Sequence, residues 1–208
     1  KLGLREEPML LMEFHGSPTS VKEQAELVQE LASGHGGNAF EWASTPEERT
    51  RLWTARHNAY FAAMQSRPGC RVISTDTCVP ISRLTECMLQ TAEDIARASM
   101  PIPMFGHVGD GNFHLVIPVR PDNRAEAEEA KAFNQRLVDR ALAMEGTCTG
   151  EHGIGIAKSP FLSLQHTPAE IGAMLAVKRA LDPNGILAPG QMFEPLNVWE
   201  HRPVKVTL

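Results

Sequence analysis

Four residues have the types and spacing to do chemistry together: His107, His114, Glu151 and His152. The first two flank an Asp-Gly pair in Gly106-His107-Val108-Gly109-Asp110-Gly111-Asn112-Phe113-His114. Asp-Gly favours a two-residue hairpin turn. Pairing outward from that turn sets Gly109 against Asn112, Val108 against Phe113 and His107 against His114. Directly opposed side chains share a face at about 4.5–5.5 Å, so the two imidazoles could hold one metal ion. They could equally form an ordinary polar cross-strand pair. Phe113, Leu115 and Ile117 would alternate onto the packed face. A third ligand candidate lies in Gly150-Glu151-His152-Gly153-Ile154-Gly155, where glycines permit close backbone approach and positive φ; the plainer reading of that segment is a solvated loop. Together His107, His114 and Glu151 make a two-nitrogen, one-oxygen set. Such a set suits Zn, Mn or Fe with positions left open for substrate, and it leaves His152 to act as a base.

Strands and helices must bring these residues together. Residues 8–14 read as a buried strand. Ser17-Pro18 opens a helix, as cap and first-turn proline, with an apolar stripe of Val21, Ala25, Val28 and Leu31, and the glycines from Gly34 to Gly37 end it. Residues 39–43 read as a weak strand. Thr45-Pro46-Glu47-Glu48 is a capping box, opening a helix that carries Leu52, Trp53, Arg56, His57, Tyr60 and Met64. Residues 71–76 read as a short strand, and Pro80 begins a helix with Ile81, Leu84, Met88 and Ile95 at helical spacing. Residues 102–118 form the hairpin. The longest helix spans 122–145, with Gly146 just past its end; a glycine-rich loop follows to Gly155. A second capping box, Thr167-Pro168-Ala169-Glu170, opens a helix that stops at Asp182-Pro183. The last dozen residues have no period and are expected to drape over a surface. Interleaved strands and helices with one tight hairpin favour an α+β layer with a largely antiparallel sheet.

Composition narrows the class. The 208 residues carry 20 basic and 25 acidic side chains, a net charge of −5, which argues against a nucleic-acid footprint. A 42% hydrophobic content supports a sizeable core. No apolar run is long enough to span a membrane. No Gly-x-Gly-x-x-Gly fingerprint joins a strand to a helix, and no phosphate-loop motif occurs. Cys70, Cys78, Cys87 and Cys148 lack metal or redox spacing and read as free, mostly buried thiols. A chain opening at Lys1 reads as a piece of something longer.

The two histidine-bearing segments closely resemble the two signatures of the FAD-linked 2-hydroxyacid dehydrogenases, flavoenzymes of the vanillyl-alcohol-oxidase type. Leu52-Trp53-Thr54-Ala55-Arg56-His57-Asn58-Ala59 and Ser74-Thr75-Asp76-Thr77-Cys78-Val79-Pro80-Ile81-Ser82-Arg83-Leu84 look most like the D-lactate branch. Leu181-Asp182-Pro183-Asn184-Gly185-Ile186-Leu187 resembles the family's C-terminal motif. The resemblance runs from about residue 8 to residue 195. It implies a ferredoxin-like antiparallel sheet with helices on one face, plus C-terminal helices that return to a flavin domain preceding Lys1. Residues 1–145 would be the substrate or cap domain, and residues 146–208 the active-site loop and C-terminal helical segment of the same unit.

Carried over by this resemblance, His107, His114 and Glu151 match the metal ligands, with Zn or Mn as the metal. His152 matches the base, and Arg56 the arginine that grips the substrate carboxylate. Tyr60, a helical turn after Arg56, matches a substrate-side position. Ser74 stands where relatives acting on 2-hydroxyglutarate carry a lysine for the distal carboxylate, which favours a monocarboxylate such as D-lactate. Ala188-Pro189-Gly190-Gln191 replaces the usual Asn-Pro-Gly-Lys, so flavin contacts from that motif do not carry over.

The implied reaction oxidises the hydroxy acid to a 2-oxo acid with hydride transfer to FAD. The implied partners are a small 2-hydroxy acid and an electron acceptor such as a cytochrome or quinone, with a homodimer allowed. The implied compartment is mitochondrial in a eukaryote, and cytoplasmic or membrane-peripheral in a bacterium. The chain alone is expected to fold around its sheet without turning over D-lactate. Within the family, a glycolate oxidase flavin subunit is the nearest alternative. Outside it, the same ligand set fits a self-contained non-haem iron oxygenase or a non-catalytic metal- or partner-binding module.

Overall fold

The computed structural model describes residues 7–193. The chain divides into two units, Lys1–Ala62 and Ala63–Leu208.

The first unit is built on helices whose starts are written in the sequence. In α1 (Pro18–Gly34) the Ser17 hydroxyl accepts from the Ser20 amide and Pro18 sits in the first turn. In α2 (Pro46–His57) both capping-box bonds form, between Thr45 and Glu48. Three expectations fail here. Residues 8–14 form no strand, and Met9, Leu10 and Met12 are exposed. Extended backbone needs a ladder partner for its N–H and C=O groups, and none lies beside this segment among the described residues of the unit. Residues 39–43 form no strand either; Ala39 adopts a φ of 56°, in the left-handed region that a strand cannot use. The helix through Arg56 and Tyr60 is also not continuous. It stops at Asn58, and Tyr60 belongs to the next helix, α3 (Ala59–Gln65), within which the chain passes into the second unit.

The second unit is the α+β layer. Strand β4 (Asn112–Val119) is its centre and is buried along its whole length. On one side it pairs antiparallel with β3 (Met104–His107). On the other it pairs antiparallel with β1 (Arg71–Ser74) and then β2 (Thr77–Cys78). Both of those ladders keep one register, with Ser74 opposite Val116 and Thr77 opposite Phe113. They are therefore one strand opened at Thr75 and Asp76. An antiparallel bridge from Cys78 to Thr147 adds the stub of a further strand outside β2. The spatial order, Thr147 stub, β1/β2, β4, β3, with α4 (Ile81–Arg97) and α5 (Arg124–Ala143) as the two crossovers, is the split β-α-β of a ferredoxin-like sheet.

Helices α4 and α5 cover one face. Leu84 and Cys87 of α4 and Ala130, Phe133, Leu137 and Ala141 of α5 pack on Phe113, Leu115, Ile117 and Val119. Ile81, expected on the apolar stripe, is instead exposed, since it sits in the first turn. The glycine-rich segment is followed by a further short helix, α6 (Ser159–Gln165). Its Phe161 packs with Val138 and Cys148 in a second small core, and Pro160 in its first turn is the start signal that could have found it. Helix α7 (Pro168–Leu181) begins on its expected capping box. All four cysteines are free. The last dozen residues lie outside the described ones.

Candidate metal centre

The hairpin that carries the two histidines turns differently from the expected form. His107 pairs with Asn112 and Phe105 with His114. The turn is a single 3-10 turn, Val108–Asp110, closed by Gly111 at φ 74°. Gly111 lies so close to the Val79 carbonyl that a Cβ would overlap it, and this packing favours the longer turn. The register has slipped by two residues. A slip of one would send every side chain to the opposite face, whereas a slip of two keeps the faces. His107 and His114 thus remain on one side as diagonal neighbours, their rings edge to face at 5.9 Å.

The strand opening at Thr75 and Asp76 prepares His114. The Thr75 hydroxyl accepts from the Leu115 amide at 2.9 Å, and the Thr75 carbonyl lies 3.1 Å from His114 Nδ1. A carbonyl can only accept, so Nδ1 is the donor. In the neutral ring the lone pair is then on Nε2.

Glu151 is brought to that lone pair by the loop after α5. Its Oε1 lies 3.0 Å from His114 Nε2 and 3.4 Å from His107 Nε2. His152 lies alongside, with its Nε2 3.6 Å from the same oxygen and its ring stacked on His114 at 5.0 Å and 4°. A carboxylate oxygen facing an imidazole lone pair at 3.0 Å is repelled unless a proton or a cation lies between them. Bonds of about 2.1 Å to a shared metal put two ligands about 3.0 Å apart at a right angle and about 3.4 Å apart at the tetrahedral angle. The two Glu151 distances match that pair of values, so the residues fit a divalent metal.

Beneath the loop sits Asp76, which is 1% exposed. Its carboxylate accepts from Asn112 Nδ2 (3.0 Å), Thr149 Oγ1 (2.9 Å), the amides of Gly150 (3.0 Å), Glu151 (3.1 Å) and His152 (2.8 Å), and Lys158 Nζ (2.8 Å). Burial works to raise its pKa. The Lys158 ammonium, the His152 amide and the Asn112 amide outweigh burial and hold the carboxyl well below the usual range. The donor atoms of Asp76, His114, Glu151 and His152 lie within 4.8 Å of one another. Asp76 nonetheless has its oxygens committed to this set of donors. Gly150 lets the loop come this close, since a Cβ there would overlap the Asn112 amide and sit 3.1 Å from Asp76 Oδ1.

The structure therefore brings together four of the residues read from the sequence, His107, His114, Glu151 and His152, all in the second unit. Arg56, half-buried in α2, and Tyr60, exposed in α3, lie in the first unit. Neither Asp76 nor Lys158 stands among the site residues read from the sequence. A signal was present: aspartate is disfavoured in strands, so one inside a strand pattern asks for a reason.

Residues 1–192 match the family model described as FAD linked oxidases, C-terminal domain. The chain is 46% identical over 187 residues to the probable mitochondrial D-lactate dehydrogenase of Danio rerio, covering 90% of this chain and 38% of that protein. It is 38% identical over 192 residues to the mitochondrial D-lactate dehydrogenase [cytochrome] of Arabidopsis thaliana, covering 92% of this chain and 34% of the relative. It is 34% identical over 186 residues to the glycolate oxidase subunit GlcD of Bacillus subtilis, covering 89% of this chain and 39% of that subunit. The chain thus spans little more than a third of the length of these relatives.

Proposed function

The chain belongs to the family of FAD-linked oxidase C-terminal domains, and from that premise we propose that it is the substrate- and metal-binding portion of a flavin-dependent D-2-hydroxyacid dehydrogenase, with D-lactate as the acid. The carrying observation is that His114 Nε2 and His107 Nε2 both face Glu151 Oε1, at 3.0 and 3.4 Å. These three side chains would hold Zn or Mn. When bound, the metal supplies Lewis acidity toward the substrate hydroxyl and the flavin supplies a hydride acceptor. His152 takes the hydroxyl proton, a role that suits an imidazole beside the ligand cluster. Arg56 pairs with the substrate carboxylate through its planar fork of donors, and Tyr60 contributes a substrate-side contact. No residue of this chain is assigned to the flavin. The electron acceptor is proposed to be a cytochrome or quinone. The compartment is mitochondrial for a eukaryotic source.

The test uses the full-length flavin-bearing protein. D-lactate should bleach the flavin absorbance. H107A should lose the metal found by elemental analysis, whereas H152A should keep it and lose nearly all bleaching. Full metal occupancy in H107A, or undiminished bleaching in H152A, would contradict these assignments. A flavin that stays oxidised with D-lactate but bleaches with glycolate would move the substrate to the glycolate oxidase reading.

A further inference from the structure

The geometry points to Asp76 and Lys158 as a buried positioning pair that sets the Glu151–His152 segment against the two histidines. This inference rests on the metal-centre reading above. Three successive amides, those of Gly150, Glu151 and His152, all point at one carboxylate at 2.8–3.1 Å. Converging amides of this kind form an anion nest, and here the anion is built into the neighbouring strand. Fixing those amides fixes the backbone from which the Glu151 and His152 side chains project.

The same carboxylate also faces the sheet side of the site. Its Oδ1 is 3.7 Å from His114 Nδ1 and accepts from the Asn112 amide. Asp76 thus touches the support of one ligand strand and the backbone of the ligand loop. Lys158 Nζ reaches both Asp76 Oδ2 at 2.8 Å and Thr149 Oγ1 at 3.0 Å. It balances the buried charge and ties the far end of the loop to the same point. Its side chain is 15% exposed, so this is not a solvent-screened surface pair.

A purely structural ion pair and a positioning pair predict different things. Groups that orient metal ligands from behind typically change metal affinity by about 10–100-fold when removed. We would compare wild type, D76N/K158M and D76E in the full chain. The readouts are Zn2+ affinity by chelator competition, amide hydrogen exchange of residues 150–152 without metal, and the melting temperature. The double variant leaves no buried unpaired charge. It should melt below wild type, because a neutral amide accepts fewer and weaker bonds than the carboxylate, bind Zn2+ about 10–100-fold more weakly, and exchange those three amides faster by more than the overall loss of stability accounts for. D76E keeps the charge but displaces its oxygens, and it should show the same two losses. Wild-type affinity and wild-type exchange in D76N/K158M would overturn the proposal. If the double variant does not fold, the same pair of results in D76E would overturn it. A wild-type chain that takes up no Zn2+ would defeat the metal-centre reading, and the exchange measurement would still decide the role of Asp76.

Discussion

Replacing Gly150 with alanine is the sharpest perturbation the site offers. A Cβ at this position would sit 2.8 Å from Asn112 Cγ and closer still to its amide nitrogen. Ordinary carbon–carbon contact is about 3.5–4.0 Å, so the Cγ contact alone requires a displacement of about 0.7–1.2 Å. Asn112 is 5% exposed, and its amide is bonded to Asp76 Oδ1 at 3.0 Å and to the Thr77 carbonyl at 3.1 Å. If Asn112 yields, both bonds go. If the loop yields, the Gly150, Glu151 and His152 amides, now 2.8–3.1 Å from Asp76, open past bonding distance. Bonds to a charged group contribute about 1.5–3 kcal/mol each and neutral ones about 0.5–1.5 kcal/mol, so the first route costs about 2–4.5 kcal/mol and the loss of two amide bonds in the second about 3–6 kcal/mol. Either loss should lower the urea midpoint by at least about 0.7 M and weaken Zn2+ binding in the same variant. G153A is the matched control. Gly153 also lies in the glycine-rich loop, at φ 74°, but with open space around its Cβ position. Its cost should be limited to about 1–2 kcal/mol for the left-handed backbone, with Zn2+ binding retained. The reasoning is refuted if G150A unfolds at the same urea concentration as G153A and binds Zn2+ like wild type.

Two further outcomes follow from the second unit. Glu126 accepts from both Arg67 Nη atoms at 2.7 and 2.8 Å and from the Arg120 amide at 2.8 Å; these contacts, Arg67 foremost, hold its carboxyl down to about 2. A depressed carboxyl stabilises above its unfolded pKa and loses that contribution as pH falls toward the folded value. E126Q should therefore be less stable than wild type at pH 7, with the gap in urea midpoint closing between about pH 4.5 and pH 2; a gap independent of pH would contradict this. Burial pushes the Cys87 and Cys148 thiols up, so both should resist iodoacetamide at pH 8 in the folded chain and react fully in urea. Peptide mass mapping that finds either one alkylated equally fast in both states would contradict their burial.

The chemistry of the candidate centre was legible in the sequence because its ligands sit in two short segments, each marked by glycines that only tight turns and close approaches require. The helix starts at Ser17, Thr45 and Thr167 were legible for a similar reason, since a cap is a local bond between residues three apart. The sheet face of β4 followed from its period of two. The hairpin register did not, because Asp-Gly chemistry permits more than one turn. Packing of Gly111 beneath Val79, a contact between distant residues, chose the longer one. The hydrophobic pattern also offered strands at residues 8–14 and 39–43, but a strand exists only with a partner, and partnership is not a local property.

What the sequence determined by itself was therefore a set of donors, the helices that begin near them and an alternating central strand. Only the tertiary structure decided that Asp76, about 75 positions before the ligand loop, is the point on which that loop closes. A buried carboxylate must gather its hydrogen-bond donors from wherever the fold brings them. Here four of them come from residues 149–152 and a fifth from Lys158, and that gathering turns two separate motifs into one site.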